Sequence, residues 1–205
     1  RFTKWRVALV CGEGLPSQLA LSQNVHALAR YAAVAQRCGL VPIVEPELMM
    51  RGSHSIEQCE AATQRVLAAT FAALHEHGVL LEGTVLKASM VLPGAACEGR
   101  ERCGADQVAA ATLRVLRRTG PPACPSINFL SGGMSEEEAA RNLDQLNRAD
   151  PALRPWHLSF SYGRACQDDC LRASSAVIGG TASPARSTTT PSKRVRFEER
   201  RRHGA

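Results

Sequence analysis

The chain has 205 residues, of which 44% are hydrophobic, and it carries a formal net charge of +6. No apolar stretch approaches the ~18 uninterrupted residues that a membrane-spanning helix needs, so we expect no membrane partner. All of the net charge falls in residues 171–205, which hold eight basic and two acidic residues, whereas residues 1–170 hold 17 of each. The composition therefore indicates one globular body followed by a basic tail.

The chain begins at Arg1 with no signal-peptide pattern and enters a strand-like run almost at once. We therefore expect a cytoplasmic protein whose eight cysteines are reduced and mostly buried. Because no Met opens the sequence, we also expect the chain to be a fragment. Cys166 and Cys170 are four residues apart, but no His/Cys pair at zinc spacing completes a ligand set, so we predict no metal.

Five apolar runs read as strands. They are continuous and rich in Val, Leu and Ile, which is typical of parallel strands buried on both faces. In chain order they cover residues 4–10, 40–46, 83–91, 126–131 and 156–162.

Four amphipathic helices are predicted between these strands, each with start or stop signals. The first begins near Pro16-Ser17 and ends at Gly39; the second follows the capping box Ser55–Gln58 and stops at Gly78; the third carries Val108, Ala111, Val115 and Leu116 and stops at Gly120; the fourth starts with the box Ser135–Glu138 and ends before Pro151.

This alternation predicts a parallel α/β protein, either an open doubly wound sheet or part of an eight-stranded barrel. Charged or small polar residues follow most of the strands, and in a barrel these strand ends converge on one site. We therefore favour a partial TIM (β/α)8 barrel of about five parallel βα units over residues 1–172. Five strands are too few to close such a barrel, so its edge strands should be unpaired.

Residues 173–205 form a second region rich in Ser, Thr, Pro and Arg, with no apolar periodicity. Such a composition cannot bury enough apolar surface to offset the entropy of ordering, so we predict a disordered tail. Because this tail is basic, an alternative interpretation is that the chain is a non-catalytic barrel fragment whose tail binds an acidic partner. We do not expect nucleic acid to be that partner.

Only three lysines occur in the chain, since arginine supplies nearly all of the positive charge. Lys193 lies in the tail, whereas Lys4 and Lys87 lie within strand-like runs. Lysine can lose its proton when desolvated and attack a carbonyl, which arginine cannot do. Two lysines at strand ends with solvated heads are the competing interpretation.

Glu45 and Glu47 close the second strand-like run on either side of Pro46, which we expect to end the strand. Residues i and i+2 of a strand share a face, so both carboxylates can enter one site. Paired acids beside a lysine suit a Schiff-base enzyme, in which a carboxylate relays protons to expel water from the carbinolamine. The alternative is that both acids pair with arginines at the rim of the barrel.

The fourth and fifth strands are followed by small polar residues that could hold a phosphate. Backbone N–H groups in a glycine loop before a capped helix bind anions, and a nearby arginine adds a charge-assisted bond. The residues concerned are Ser131, Gly132 and Gly133 after one strand, and Ser161, Tyr162, Gly163 and Arg164 after the other.

Together these segments resemble class I fructose-bisphosphate aldolase. The resemblance covers residues 1–172 in order, through Lys4-Trp5-Arg6, Val41-Pro42-Ile43-Val44-Glu45-Pro46-Glu47, Leu81-Glu82-Gly83-Thr84-Val85-Leu86-Lys87, Phe129-Leu130-Ser131 with its two glycines, Ser135-Glu136-Glu137-Glu138 and Phe160-Ser161-Tyr162-Gly163-Arg164. It implies a glycolytic lyase that cleaves fructose 1,6-bisphosphate to dihydroxyacetone phosphate and glyceraldehyde 3-phosphate. The family fold is a TIM barrel, usually in a homotetramer, and it uses no metal or other cofactor.

The resemblance also implies a role for each matching residue. Lys87 would be the Schiff-base lysine, Glu45 the acid/base and Glu47 its support, while Lys4 would help to polarise the substrate. Arg6 would lie near the second phosphate. The first phosphate would be held by Ser131, Gly132, Ser161, Gly163 and Arg164.

The chain departs from the family pattern in several places. The family's first three strands, with an Asp and another Lys of the active site, have no counterpart here. The basic tail replaces the family's C-terminal segment, and Ala88-Ser89 stands where Pro-Asn is usual. The resemblance therefore implies a fragment with impaired or no activity.

Overall fold

Five strands alternate with four long helices over residues 2–160. The computed structural model describes residues 1–163 together with residues 166, 167, 171 and 174. These elements all belong to one unit of the chain, residues 1–168. They are β1 (Phe2–Val10), α1 (Gln18–Arg37), β2 (Val41–Met49), α2 (Ile56–Glu76), β3 (Val85–Ala88), α3 (Ala105–Thr119), β4 (Ser126–Phe129), α4 (Glu136–Arg148) and β5 (His157–Phe160).

The sheet keeps its strands in chain order, β1-β2-β3-β4-β5, with every neighbouring pair parallel. Each helix packs against the next one along the chain, so the helices form a single layer. A doubly wound sheet would divide its helices between two faces. The predicted partial barrel is therefore confirmed, and within the described residues β1 and β5 each pair along one edge only.

The two faces of β1 differ in a way that separates core from site. Val7 and Leu9 are buried, whereas Lys4 and Arg6 are not. Because side chains alternate along a strand, the two cations share the face turned away from the helices. The apolar face packs with the helices in one continuous core, whose fully buried members include Leu28, Leu67, Leu86, Phe129 and Leu146.

Serine side chains begin three of the helices, as the capping signals indicate. Ser17 caps α1, and Ser55 and Gln58 form the predicted reciprocal box at the start of α2. At α4 only half of the predicted box forms, because Ser135 accepts from the Glu138 N–H while the Glu138 carboxylate bonds to Arg100 instead. A long-range ion pair has thus replaced the local contact.

The expectation that Pro46 ends β2 is wrong, since the strand continues to Met49. The N–H of Val41 points to β1, where it donates to Arg1, while the N–H of Leu48 points the other way, to the Ser89 hydroxyl. In a parallel strand these directions alternate residue by residue. Pro46 therefore lacks its N–H on the β3 side, and the ladder to β1 continues past it.

Arg164, Cys170 and the predicted tail beyond Ser174 lie outside the described residues, so the tail stays a prediction. In the described part of the chain, no helix is both long enough and apolar enough to cross a membrane.

A bidentate ion pair joins α2 to α3. Arg114 donates from Nε and Nη2 to the two carboxylate oxygens of Glu60, each at 2.7 Å. This hydrogen bonding, opposed by partial burial, lowers the pKa of Glu60 below its usual value.

A carboxylate whose pKa is lower in the folded state stabilises the fold above its unfolded-state pKa. That contribution is lost as the pH falls through the lower, folded-state value. We therefore predict that Glu60→Gln destabilises the protein near neutral pH and that this difference shrinks below about pH 4.3. Urea unfolding at several pH values measures it. In an Arg114→Gln background the pH dependence should become smaller and leave only the part due to Arg118, which lies 3.7 Å from Glu60. A difference independent of pH in the unmodified background would contradict the assignment.

Candidate active site

The carboxylate of Glu45 lies between two lysines. Its Oε1 is 3.1 Å from Lys87 Nζ, and its Oε2 is 2.9 Å from Lys4 Nζ. Glu45 is 3% exposed and Lys87 is 9% exposed, whereas the Lys4 side chain is 44% exposed. Oε2 has no aligned hydrogen bond among the described residues, so its contact with Lys4 is an ion pair of charge alone.

Strand register explains this convergence. Lys4 lies opposite Ile43 and Arg6 lies opposite Glu45, so each cation of β1 reaches the acid two residues further along β2. On the other side, Val44 lies opposite Leu86, and one further residue brings Glu45 level with Lys87. Lys4, Glu45 and Lys87 therefore occupy one face of three adjacent strands.

Glu47 forms the second pair of the site, with the Arg6 guanidinium. This hydrogen bond raises the pKa of Arg6, so its positive charge is secured. Gly132 lies against the same carboxylate, since a Cβ atom there would be 3.0 Å from Glu47 Oε1. Glu47 therefore holds Arg6 and also packs on the glycine loop, which fits a supporting position.

The charged face and the two small polar loops enclose one cleft of about 320 Å³. The N–H of Leu130 donates to Ala88 and that of Ser161 donates to Phe129, so the sheet pairing carries one residue past β4 and β5. This alignment brings both loops to the same edge. The residues lining the cleft are Arg6, Glu45, Glu47, Lys87, Leu130, Ser131, Gly132, Ser161 and Gly163.

Tyr162 anchors the loop after β5. Its hydroxyl donates to the carbonyl of Ala139 in α4 at 2.9 Å. Burial raises the pKa of Tyr162 to about 12, so the phenol keeps the proton that it donates. Ser161 and Gly163 are thus placed by the residue between them.

Arg100 anchors the loop after β4, and sequence reasoning missed it. Its guanidinium bonds to the carbonyl of Pro93, to that of Gly133 at 2.7 Å and to Glu138 at 3.1 Å. Gly133 has a φ of +81°, and a Cβ there would lie 2.5 Å from the Cβ of Met50. The contacts of Arg100 with Gly133 and Glu138 have no local signal, because these partners are more than 30 residues away in the chain.

Ser89 joins β3 to β2. Its hydroxyl lies 3.2 Å from both the N–H and the carbonyl oxygen of Leu48. Since β3 ends at Ala88, this side chain continues the pairing by one residue just beyond Lys87. Ser89 therefore has a structural role next to the site.

The structure brings together nine of the ten residues predicted for the site. Eight of them line the cleft, and Lys4 joins them through Glu45. Leu130 also lines the cleft and was not predicted. The tenth residue, Arg164, lies outside the described part of the chain.

This arrangement defines a barrel-type α/β protein with a lysine–carboxylate cleft at the carboxyl ends of its strands. The family model described as fructose-bisphosphate aldolase class-I matches residues 1–190. The chain belongs to this family.

Named relatives agree over a long segment. Fructose-bisphosphate aldolase 6, cytosolic, of Arabidopsis thaliana is 52% identical over 172 residues, which are 84% of this chain and 47% of that relative. Human fructose-bisphosphate aldolase C is 51% identical over 172 residues, 84% of this chain and 46% of the relative. The chain thus spans about half the length of the curated relatives that it matches.

A solved structure shows the same fold. Fructose-bisphosphate aldolase from Plasmodium falciparum, in complex with TRAP and a small-molecule inhibitor, superposes with a TM-score of 0.80 at 49% identity. The match covers 84% of this chain and 49% of that one.

We predict that Arg100→Lys loosens the loop after β4, because an ammonium cannot reproduce three bonds from a planar fork. Bonds to a charged donor are worth about 1.5–3 kcal/mol each, so a net loss of roughly 1–2 kcal/mol in unfolding free energy is expected. Urea unfolding measures this loss, and amide exchange over residues 131–134 locates it. Arg102→Lys is the matched control, since the Arg102 side chain is 78% exposed. Equal effects of the two variants would refute the anchoring role.

Proposed function

We propose that the cleft carries out the Schiff-base half of a class I aldolase reaction, with Lys87 as the nucleophile. The observation that supports this most is the position of Glu45, whose two oxygens contact Lys87 and Lys4 separately. One carboxylate can therefore exchange a proton with the attacking amine while it stays held by a second cation.

The first step is addition to the carbonyl. Lys87 passes a proton to Glu45 Oε1 over the 3.1 Å contact, which leaves a free amine and a neutral carboxylic acid. The amine nitrogen attacks the carbonyl carbon of a ketose phosphate and the C=O π electrons move to oxygen. The nitrogen then transfers its extra proton to that oxygen, which gives a neutral carbinolamine. Lys4 helps to polarise the carbonyl.

The second step is loss of water. Glu45 returns its proton to the carbinolamine hydroxyl, the C–O bond breaks, and the nitrogen lone pair forms the iminium. Glu45 is a carboxylate again, between Lys4 and the new cation. The same proton thus serves both steps, which explains why one buried acid is enough for this half of the reaction.

The two loops supply the phosphate site of this proposal. Ser131, Gly132, Ser161 and Gly163 offer hydroxyl and backbone N–H donors at one end of the cleft, and Arg164 would add its charge. Arg6 lies at the other side and is left for the second phosphate. Glu47 holds the guanidinium of Arg6 in place, and the Arg6 side chain is half exposed to solvent.

The substrates we propose are fructose 1,6-bisphosphate and its triose phosphate products. A homo-oligomer and a cytoplasmic location are proposed on the same family basis, the Arabidopsis relative being named cytosolic. Since the chain spans about half of its relatives, the proposal for these 205 residues is imine formation rather than full turnover.

Borohydride reduction with dihydroxyacetone phosphate tests the nucleophile. Reduction makes the C–N bond permanent, so we predict one covalent adduct mapped by mass spectrometry to Lys87. Lys87→Arg should abolish the adduct while keeping the positive charge, because guanidinium cannot act as the nucleophile.

The control is Lys193→Arg, which alters the lysine of the basic tail and should trap as the unmodified chain does. Trapping at full yield in Lys87→Arg would show that the nucleophile is another group. No adduct in the unmodified chain at high ligand concentration would remove the proposed function from this chain.

A further inference from the structure

A buried group of two thiols and an imidazole lies on the opposite side of the sheet from the cleft. Cys11 follows β1, His54 precedes α2, and Cys59 lies in the first turn of α2. Their ligand atoms all lie within 4.8 Å of one another. Cys11 and His54 are 4% exposed and Cys59 is fully buried.

Strand parity separates this group from the proposed chemistry. Cys11 has the same parity as the buried Val7 and Leu9, whereas Lys4 and Arg6 have the other parity and face the cleft. A ligand at Cys11, His54 and Cys59 would therefore lie between the sheet and α2, away from Glu45 and Lys87.

The ring nitrogens of His54 indicate that this group lacks a ligand. Among the described residues neither ring nitrogen makes a well-aligned hydrogen bond, although both are buried and the backbone of Leu92 lies nearby. Burying an unpaired polar group costs about 1–3 kcal/mol, so such groups are rare unless a ligand satisfies them. A disulfide between Cys11 and Cys59 would leave both nitrogens unpaired, whereas a metal ion would bond to one of them.

We propose that Cys11, His54 and Cys59 form a binding site for a soft divalent metal ion of the zinc class. Two thiolates and one neutral imidazole are a recurrent ligand set for Zn²⁺. Their two negative charges balance the ion, so the complex is neutral, as burial requires. Bond lengths of about 2.3 Å to sulfur and 2.0 Å to nitrogen imply ligand separations of roughly 3.5–3.8 Å in a tetrahedron. The ligand atoms, which lie within 4.8 Å of one another, would have to move closer together to reach them.

Among the described residues no other His, Cys, Asp or Glu joins the group, which leaves a fourth position for water or a backbone carbonyl.

The site can be tested with Co²⁺, because Zn²⁺ has no visible spectrum. The reduced, metal-free chain should bind one equivalent of Co²⁺ and develop thiolate-to-cobalt charge-transfer bands with the visible bands of a tetrahedral ion. One equivalent of Zn²⁺ should displace it. No bands, or bands without thiolate character, would overturn the proposal.

Variants locate the ion. Loss of a second-sphere group costs about 10–100-fold in affinity, so loss of a ligand in Cys59→Ser, Cys11→Ser or His54→Gln should cost at least about 100-fold. Cys38→Ser is the matched control, since Cys38 is an exposed free thiol, and it should bind as the unmodified chain does. An equal loss in Cys38→Ser would contradict the assignment.

A second measurement needs no variant and so decides the matter if a variant fails to fold. In the unmodified chain, Zn²⁺ should slow amide exchange in peptides covering residues 9–13 and 52–62. Peptides covering α4 should be unchanged. Protection confined to other segments would place the ion elsewhere and refute the site.

Discussion

The requirement that a buried carboxylate be matched by positive charge governs the architecture of the site. Glu45 is almost completely buried and has a lysine on each of its two oxygens. Removing one partner of a buried ion pair leaves an uncompensated charge, which costs about 3–5 kcal/mol. The register of β1, β2 and β3 is thus tied to the chemistry, since a slip of one residue would move every charged group to the helix side.

A second layer of contacts holds the loops that complete the cleft. Arg100 fixes the glycine loop through the carbonyl of Gly133, and Tyr162 fixes the loop after β5 to α4. Ser89 continues the pairing of β2 and β3 beside Lys87. The cleft residues therefore lie on strands and on anchored loops. A site of this kind must hold its reacting groups in place to within a few tenths of an ångström, and rigid elements provide that precision.

The strands, the helices and most of the cleft could be predicted because their signals are local. Apolar runs give the strands, and the i, i+2 spacing of Glu45 and Glu47 puts both acids on one face. The extent of β2 past Pro46 could not be predicted, since it depends on which neighbour the missing N–H faces. Arg100 and the group around His54 were missed because Gly133 and Cys11 are distant from them in the chain and meet them only when the loops pack.

The central claim is that Glu45 relays the proton for imine formation, and the initial rate of borohydride trapping tests it most directly. General acid–base groups contribute about 10²–10⁴-fold, so Glu45→Gln should slow trapping at Lys87 by about 100-fold or more. Glu82→Gln, at an exposed carboxylate before β3, should trap at the unmodified rate. Equal rates for Glu45→Gln and Glu82→Gln, with both proteins folded, would contradict the account.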